Sequence, residues 1–367
     1  MSLERILVLV DFSAGSRVAL ERATQIASQS GASLHLLHAI GLHGTTPEAA
    51  VSEIEQAALD RIRQLAQQVR DQGVDAAART HAGSVLEAFE WLEDEVRPDL
   101  VVVGARGATR LRRLLLGGTA HSIVQHAFAP VLVARGTLGV QAEPFQRILV
   151  ATDFSADPAC SAAIATAVAA ADASVHVTHV IQSPPQAISA LGPTVLKQQH
   201  DDAKAHLDRV AQELQATPHL LEGHAPRSVI ELADKLHCDV IAIGTRGAES
   251  ASWFASASVA GEILRRAGAS VITARCLRER PEIRDELEDL HSELAGAEDL
   301  GPAQRATVTE LVRNLRRLVD ESQELRHGML AEFGRELDQL AEDLRVVHPK
   351  LSTAIRTLRR ALAQIGL

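Results

Sequence analysis

The chain of 367 residues carries the same pattern twice, and this repeat limits its possible folds more than any other feature. The segment RILVLVDFS at 5–13 returns 142 positions later as RILVATDFS. VVVGARGA at 101–108 and APVLVAR at 129–135 both return 140 positions later, as IAIGTRGA and ASVITAR. Three matches in one order at nearly one offset indicate an internal duplication.

Within each copy, apolar strands alternate with amphipathic helices. In copy one the pattern predicts strands at 6–10, 34–40, 76–80, 99–103 and 130–134, with helices at 13–29, 47–72, 84–95 and 119–127. Continuous apolar strands joined by helices are typical of a doubly wound parallel α/β sheet. We therefore predict two tandem five-stranded domains, at 1–136 and 145–276, joined by a short linker.

Composition excludes several classes of protein. Tyrosine is absent and aromatic residues make up 2% of the chain, so the cores must consist of Val, Ile, Leu and Ala, and stacking platforms for single-stranded nucleic acid are not expected. The net charge of −10 argues against a duplex-binding protein, and no apolar run approaches the ~20 residues that cross a membrane. Three cysteines and an N-terminus without a secretory pattern predict free thiols and a cytoplasmic protein.

Two loops of each copy follow strands whose carboxyl ends share one edge of the sheet, where open parallel sheets bind ligands. One loop begins with Asp11 or Asp153. The other reads Gly104-x2-Gly107-x9-Gly117-Gly118-Thr119 in copy one and Gly244-x2-Gly247-x9-Ala257-Ser258 in copy two. Glycines allow positive φ and close approach of a ligand, and a helix N-terminus attracts anions. The alternative is that these glycines only make a tight turn.

These motifs resemble the universal stress protein family in its tandem form, over residues 4–135 and 146–276. The resemblance implies a fold like the adenine nucleotide alpha hydrolases and, for members with this loop, ATP as ligand, with or without Mg²⁺. It places Asp11 and Asp153 at the adenosine end, the backbone of Ala39 and Val180 at adenine, and Gly104 and Gly244 at the ribose. The phosphates would be held by Gly107, Gly117 and Gly118 in copy one, and by Gly247, Ala257 and Ser258 in copy two. Arg106, Thr119 and Arg246, in the same loops, are further candidate binding residues.

Both copies depart from the family pattern. Gly118 stands where a hydroxyl residue belongs, with Thr119 one place later, and Ala257 replaces a glycine. No lysine precedes Lys197, so countercharge in copy one must come from arginines at 106–113, a metal ion or backbone dipoles. The alternative for these arginines is a solvated loop face. The loop of copy two has no arginine after Arg246, which predicts that the two sites differ in phosphate preference.

Other polar residues suggest no catalytic or metal site. The 16 histidines have no zinc-ligand spacing and are interpreted as scattered core or surface residues. No histidine is placed to activate Ser13 or Ser155, so helix capping is the expected role of both. The hydroxyls of Thr119 and Ser258 are interpreted as helix caps, phosphate contacts or both.

After Cys276 the composition changes to charged residues with leucines at helical spacing, which predicts an all-α region over 278–367. We interpret it as a small helical bundle, with an oligomerisation or docking module as the alternative. Its final segment, from His348 to Leu367, is similar to a small bacterial helical family of unknown function.

The favoured hypothesis is a cytoplasmic, ATP-binding stress or regulatory factor. The alternatives are a nucleotide-independent scaffold acting through its tail and a slow metal-dependent ATP hydrolase. The family resemblance also implies edge-to-edge pairing of the final strands, 130–134 and 270–273, within one chain. A homo-oligomer and a protein partner for the tail are further expectations.

Overall fold

The computed structural model describes residues 2–41, 48–105, 117–127, 129–140, 142–154, 158–182, 193–245 and 258–275, together with six residues of the tail. The chain forms two compact units, of which the first contains all the strands described below and the second contains the tail. The described residues do not include the loops at 106–116 and 246–257 or most of the tail. The predictions made for the glycines and arginines of these loops and for the tail helices therefore lie outside them.

Copy one follows the predicted alternation of strands and helices. Its elements are β1 (Arg5–Leu9), α1 (Ala14–Ser30), β2 (Ser33–Ile40), α2 (Glu48–Arg70), β3 (Ala76–Ala82), α3 (Val85–Val96), β4 (Leu100–Gly104), α4 (Gly118–His126) and β5 (Val131–Ala134).

Copy two repeats the order of elements with different lengths. Its elements are β6 (Phe145–Ala151), α5 (Pro158–Ala167), β7 (Ala169–Ile181), α6 (Pro193–Glu213), β8 (Thr217–Glu222), α7 (Ala225–Leu236), β9 (Val240–Thr245), α8 (Val259–Arg266) and β10 (Ser270–Arg275). Compared with α1 and β2, α5 is shorter and β7 is longer, because Ala169 already pairs with Phe145 of β6.

Local side chains set the helix ends that the sequence predicted. Ser13 is the N-cap of α1 and accepts a hydrogen bond from the Ser16 amide, so its predicted capping role is confirmed. Gly31 ends the same helix at φ 76°, in the left-handed region. Ser84 and Glu87 form a reciprocal capping box at the start of α3.

All ten strands lie in one sheet, in the order β3-β2-β1-β4-β5-β10-β9-β6-β7-β8. Neighbours within each copy are parallel, whereas β5 and β10 are antiparallel, with Val133 opposite Val271 and Leu132 opposite Ile272. The pairing of the final strands within one chain is therefore present, and it joins the two predicted sheets into one.

Helices cover both faces of this sheet, as a parallel sheet requires. One core lies under α1, α2, α5 and α6, and the other lies under α3, α4, α7 and α8. The strand side chains are mostly Val, Ile, Leu and Ala, as the composition predicted. Phe89 and Phe145 are the large aromatic side chains that are fully buried among the described residues.

Arg135 joins the two copies next to the β5–β10 pair. Its guanidinium donates to the carbonyl oxygens of Ala269 and Leu264, and its amide donates to the Ser270 hydroxyl at 3.1 Å. Leu264 lies in the last turn of α8, where helix carbonyls lack partners within the helix. The arginine of copy one thus binds the helix end of copy two.

The prediction of free thiols is correct for one cysteine and wrong for another. Cys238 is a free thiol, and its burial raises its pKa to about 11. Cys160, in α5, is disulfide-bonded. Sequence reasoning discounted a disulfide because three cysteines form no framework, and the count alone does not exclude a single bond.

Described residues of the tail are helical and partly buried. Ala341, Ser352 and Ile355 are each at most 3% exposed, and the Ser352 hydroxyl donates to the Ala341 carbonyl. Arg356 also pairs with Glu342 at 2.9 Å. These contacts bring together two segments on either side of Pro349, as a small bundle would.

Candidate functional site

A cavity of about 270 Å³ opens at the carboxyl edge of the sheet in copy one. It lies where the strand order reverses. From β1 the chain continues to β2 and β3 on one side of the sheet, and then crosses to β4 and β5 on the other side of β1. Every described site residue predicted for copy one lines it: Asp11, Ala39, Gly104, Gly117, Gly118 and Thr119. Arg106 and Gly107 lie outside the described residues.

Gly104 is required by packing inside the protein. A Cβ atom built there would lie 2.5 Å from the Gly15 carbonyl carbon and 2.9 Å from the Ser16 amide nitrogen, so β4 passes directly against the first turn of α1. The described glycines with positive φ do not include Gly104, Gly117 or Gly118. The prediction of positive φ is therefore wrong for these three glycines, and the close approach at Gly104 is that of α1.

The N-terminus of α4 faces the cavity without a side-chain cap. Gly117 is the N-cap residue and supplies no side-chain hydrogen bond. The first bond of the helix runs from the His121 amide to the Gly117 carbonyl at 3.0 Å, so the amides of Gly118, Thr119 and Ala120 have no partner within the helix. A Cβ built at Gly118 meets nothing within 4 Å. An anion could approach this helix end closely.

Asp11 supplies the carboxylate of the cavity. Its Oδ1 atom accepts a hydrogen bond from the Ser13 amide at 3.0 Å, which ties it to the start of α1. Among the described residues no group of three or more His, Cys, Asp or Glu side chains could hold a metal ion. The described lining of the cavity thus fits a metal ion only if Asp11 and a ligand, such as a nucleotide phosphate, bind that ion together.

Copy two places its predicted residues at the corresponding strand ends, with one difference at the helix. Asp153 follows β6, Val180 lies in β7 and Gly244 lies in β9. Ser258 is the N-cap of α8, and its hydroxyl accepts from the Gly261 amide at 3.1 Å. Its capping role is confirmed, and α8 has the side-chain cap that α4 lacks. Arg246, Gly247 and Ala257 lie outside the described residues.

Sequence reasoning missed His38, which also lines the cavity. Its Nδ1 atom lies 2.7 Å from the Val10 carbonyl oxygen, and its ring contacts Phe12. His179 has the same contacts in copy two, with Thr152 and Phe154. These two histidines occupy equivalent positions in the two copies, which the interpretation as scattered core or surface residues did not include. The available signal was that both histidines precede the predicted adenine-facing residue of their copy.

The comparisons with known proteins agree with this architecture. A model of the universal stress protein family matches residues 2–135 and again 144–275, which together are more than half of the chain. The chain belongs to the universal stress protein family. A second model, for a domain of unknown function called DUF4404, matches residues 283–367. This universal stress protein is thus a tandem form with a helical C-terminal domain.

Individual relatives match one copy or both. Universal stress protein YxiE of Bacillus subtilis is 25% identical over 146 residues, which cover 36% of this chain and 98% of that protein. The crystal structure of a universal stress protein from Archaeoglobus fulgidus covers 74% of this chain and 98% of its own, at 20% identity and a TM-score of 0.58, and shows the shared fold. Another solved universal stress protein is in complex with cAMP, with 28% identity over 37% of this chain and a TM-score of 0.31.

No helix in the described part of the chain combines the length and the apolar character needed to cross a membrane.

Proposed function

We propose that this universal stress protein binds ATP in the copy-one cavity and acts as a nucleotide-responsive stress or regulatory factor of the cytoplasm. The observation that carries the proposal is that six residues expected from the family resemblance all line one cavity beside a helix N-terminus without a side-chain cap. A carboxylate and amides without a partner in their helix, lining the same cavity, match a ligand with a nucleoside and an anionic tail.

The size of the cavity fits part of such a ligand. Its volume of about 270 Å³ is slightly below the ~300–1,000 Å³ of common ligand pockets. In the proposed complex the adenosine occupies the cavity between Asp11 and Ala39, and the phosphates extend over Gly117, Gly118 and Thr119. Mg²⁺, if bound, neutralises the phosphates, since copy one has no lysine.

Copy one is proposed as the stronger of the two sites. In copy two the Ser258 hydroxyl satisfies an amide at the start of α8, whereas the start of α4 has no side-chain cap. ATP then stabilises the folded chain by about 2.7 kcal/mol at a hundredfold excess over Kd. The tail is proposed to transmit this state to a protein partner or to a second copy of the chain.

Calorimetric titration of the full chain with ATP, with and without Mg²⁺, tests the proposal, and GTP and cAMP serve as comparison ligands. Gly118→Val should abolish the heat of ATP binding while the fold remains, because the new side chain enters open space at the cavity. Gly268→Val is the matched control, since Gly268 lies far along the chain from the loop and its Cβ would make an ordinary 3.7 Å contact with Asp234.

The proposal fails if saturating ATP changes neither the melting temperature nor the heat of mixing of the parent chain. Binding that survives in Gly118→Val and disappears in Ser258→Val would move the principal site to copy two. Tight binding of cAMP without binding of ATP would replace the ligand and leave the cavity assignment intact.

A further inference from the structure

In copy one, the side chain that follows Asp11 contacts two others. The Phe12 ring is tilted by 50° against the His38 ring, at 4.5 Å between ring centroids, and the guanidinium carbon of Arg61 lies 4.0 Å from the Phe12 centroid. Phe12 follows Asp11 in the chain, His38 lies in β2 and Arg61 lies in α2. The residue after the carboxylate is thus held by two separate elements.

His38 also holds the residue before the carboxylate. Its Nδ1 atom is 2.7 Å from the Val10 carbonyl oxygen, and because a carbonyl only accepts hydrogen bonds, Nδ1 must carry the hydrogen. The Val10 amide in turn donates to the Leu37 carbonyl at 2.8 Å. Strand β2 therefore fixes both the donor and the acceptor of the last residue before Asp11.

The backbone at Phe12 is in an unfavourable conformation. Its φ of 60° lies in the left-handed region, which residues other than glycine rarely adopt. Such a conformation persists only where surrounding contacts hold it, and it concentrates at functional sites. Here the contacts are the His38 ring and Arg61, and the turn at Phe12 directs the chain from β1 into α1.

Copy two has the equivalent turn and histidine contact, with a stacked ring pair in place of the tilted one. Phe154 has φ 62°, and the His179 Nδ1 atom lies 2.9 Å from the Thr152 carbonyl oxygen. The Phe154 ring stacks on His179 at 4.3 Å and on His206 at 4.2 Å. Thr152 replaces Val10 and His206 replaces Arg61, so the strained turn has been kept while its surroundings have changed.

We propose that His38 and Phe12 are positioning residues that aim the Asp11 carboxylate into the cavity. They act through Asp11, because His38 fixes Val10 on one side of it and Phe12 fixes the backbone on the other. The role in ligand binding rests on the proposed ATP site, whereas the effect on Asp11 itself is present without a ligand.

Two substitutions at His38 separate its ring from its hydrogen bond. His38→Phe keeps a ring against Phe12 and removes the donor to Val10, whereas His38→Asn restores an amide donor near the position of Nδ1. On the full chain, His38→Phe should weaken ATP binding about tenfold, within the coupling usual for contacting residues. His38→Asn should retain most of the affinity. His35→Phe, on the same strand, is the matched control and should bind as the parent does.

A double-mutant cycle with Asp11→Ala tests whether His38 acts through the carboxylate. We expect His38→Phe to have no further effect on ATP affinity once Asp11 is alanine. Additive losses would overturn the proposal, as would parent-like affinity in His38→Phe. Thermal unfolding of each variant shows whether the chain still folds.

A ligand-free measurement keeps this inference separate from the proposed function. The Ser13 amide donates to Asp11 Oδ1 at 3.0 Å, so its hydrogen exchange reports the position of the carboxylate. Exchange at Ser13 should accelerate in His38→Phe and Phe12→Gly and stay unchanged in His35→Phe. Unchanged exchange in His38→Phe would overturn the positioning role. Failure of the parent to bind ATP, with accelerated exchange, would reject the function and keep the positioning role.

Discussion

Gly104 and Gly118 line the same cavity, but they are glycine for different reasons. At Gly104 a Cβ would clash with the backbone of Gly15 and Ser16, whereas at Gly118 it would meet nothing within 4 Å. The first glycine therefore belongs to the packing of β4 on α1. The second has no steric reason within the described protein, and in the proposed complex its open surroundings leave room for the phosphates.

This difference gives opposite expectations for stability. Gly104→Ala should destabilise the chain by about 1–3 kcal/mol, because backbone atoms cannot rotate away from the new methyl group. Gly118→Ala should stabilise it by about 0.5–1 kcal/mol, because alanine is a better helix former than glycine. Urea unfolding midpoints of the two variants and the parent measure both effects. Equal midpoints would contradict the assignment of Gly104 to packing.

The sequence predicted which residues meet at the cavity and not how the carboxylate is held. The loops after β1 and β4 share one edge of a parallel sheet, so the meeting of Asp11 and Gly104 follows from the repeat and the topology, whereas Ala39 was implied by the family resemblance. A positive φ at Phe12 has no local signal, since phenylalanine normally avoids it. The contact of His38 with Val10 depends on strand register, which a single sequence leaves open.

At the scale of elements, helix ends were predictable where capping residues act locally, as at Ser13, Gly31 and Ser84. The boundary between α5 and β7 was not, because Ala169 and its neighbours favour helices by propensity. Pairing with β6 places them in a strand, which shows tertiary context overriding local preference. The repeat therefore predicts the topology of copy two correctly, but it does not predict the lengths of the helices and strands in copy two.

The Arg135 contacts between β5 and α8 should contribute measurably to stability. Arg135→Met keeps the aliphatic stem and removes donors to the Ala269 and Leu264 carbonyls, which should lower the free energy of unfolding by about 1–3 kcal/mol. Arg79→Met is the control, because Arg79 and Glu95 form an exposed pair at 4.0 Å, and it should change stability by less than about 0.5 kcal/mol. Equal effects in urea unfolding would show that Arg135 is dispensable.

Strands β7 and β8 should make stability depend on pH. The His176 Nδ1 and His219 Nε2 atoms are 3.1 Å apart, and partial burial lowers the pKa of both rings. The charge of Arg147 lowers the pKa of His176 further. His176 and Lys235 have the same effect on the pKa of His219. A lowered folded-state pKa means that the unfolded chain binds protons first. The contribution of this pair to the free energy of unfolding is therefore fully present above about pH 6.5, the ordinary pKa of histidine. It is lost as the pH falls from there towards the lower pKa values of the two rings in the folded chain.

Urea midpoints at pH 7.5 and 5.5 measure this dependence. The variant His219→Gln keeps a hydrogen-bonding group at this position and cannot titrate, so its midpoint should fall less between the two pH values than that of the parent. His35, whose pKa burial also lowers, remains in both proteins and contributes equally to both. A variant with the same pH dependence as the parent would rule out the His176–His219 pair as the source.

At the scale of the whole molecule, one antiparallel strand pair joins the two copies into a ten-stranded sheet. In a fragment of residues 1–136, β5 should be an exposed edge strand. Because an unpaired edge strand favours pairing with another edge strand, the fragment should dimerise, which light scattering measures. The Ala134 carbonyl accepts a hydrogen bond from the Ala105 amide, just after β4, so alternate backbone groups place Val133 towards β10. Val133→Pro in this fragment should therefore reduce dimerisation, and a monomeric parent fragment would contradict the expectation.

The covalent link between the copies also changes how their two sites can evolve. In a symmetric dimer of identical subunits, one codon change alters both pockets at once, so neither can drift without the other. Here the N-cap of α4 is Gly117 and the N-cap of α8 is Ser258, each encoded separately on one polypeptide. Each half of this pseudo-dimer can acquire its own selectivity while their stoichiometry stays fixed at one to one.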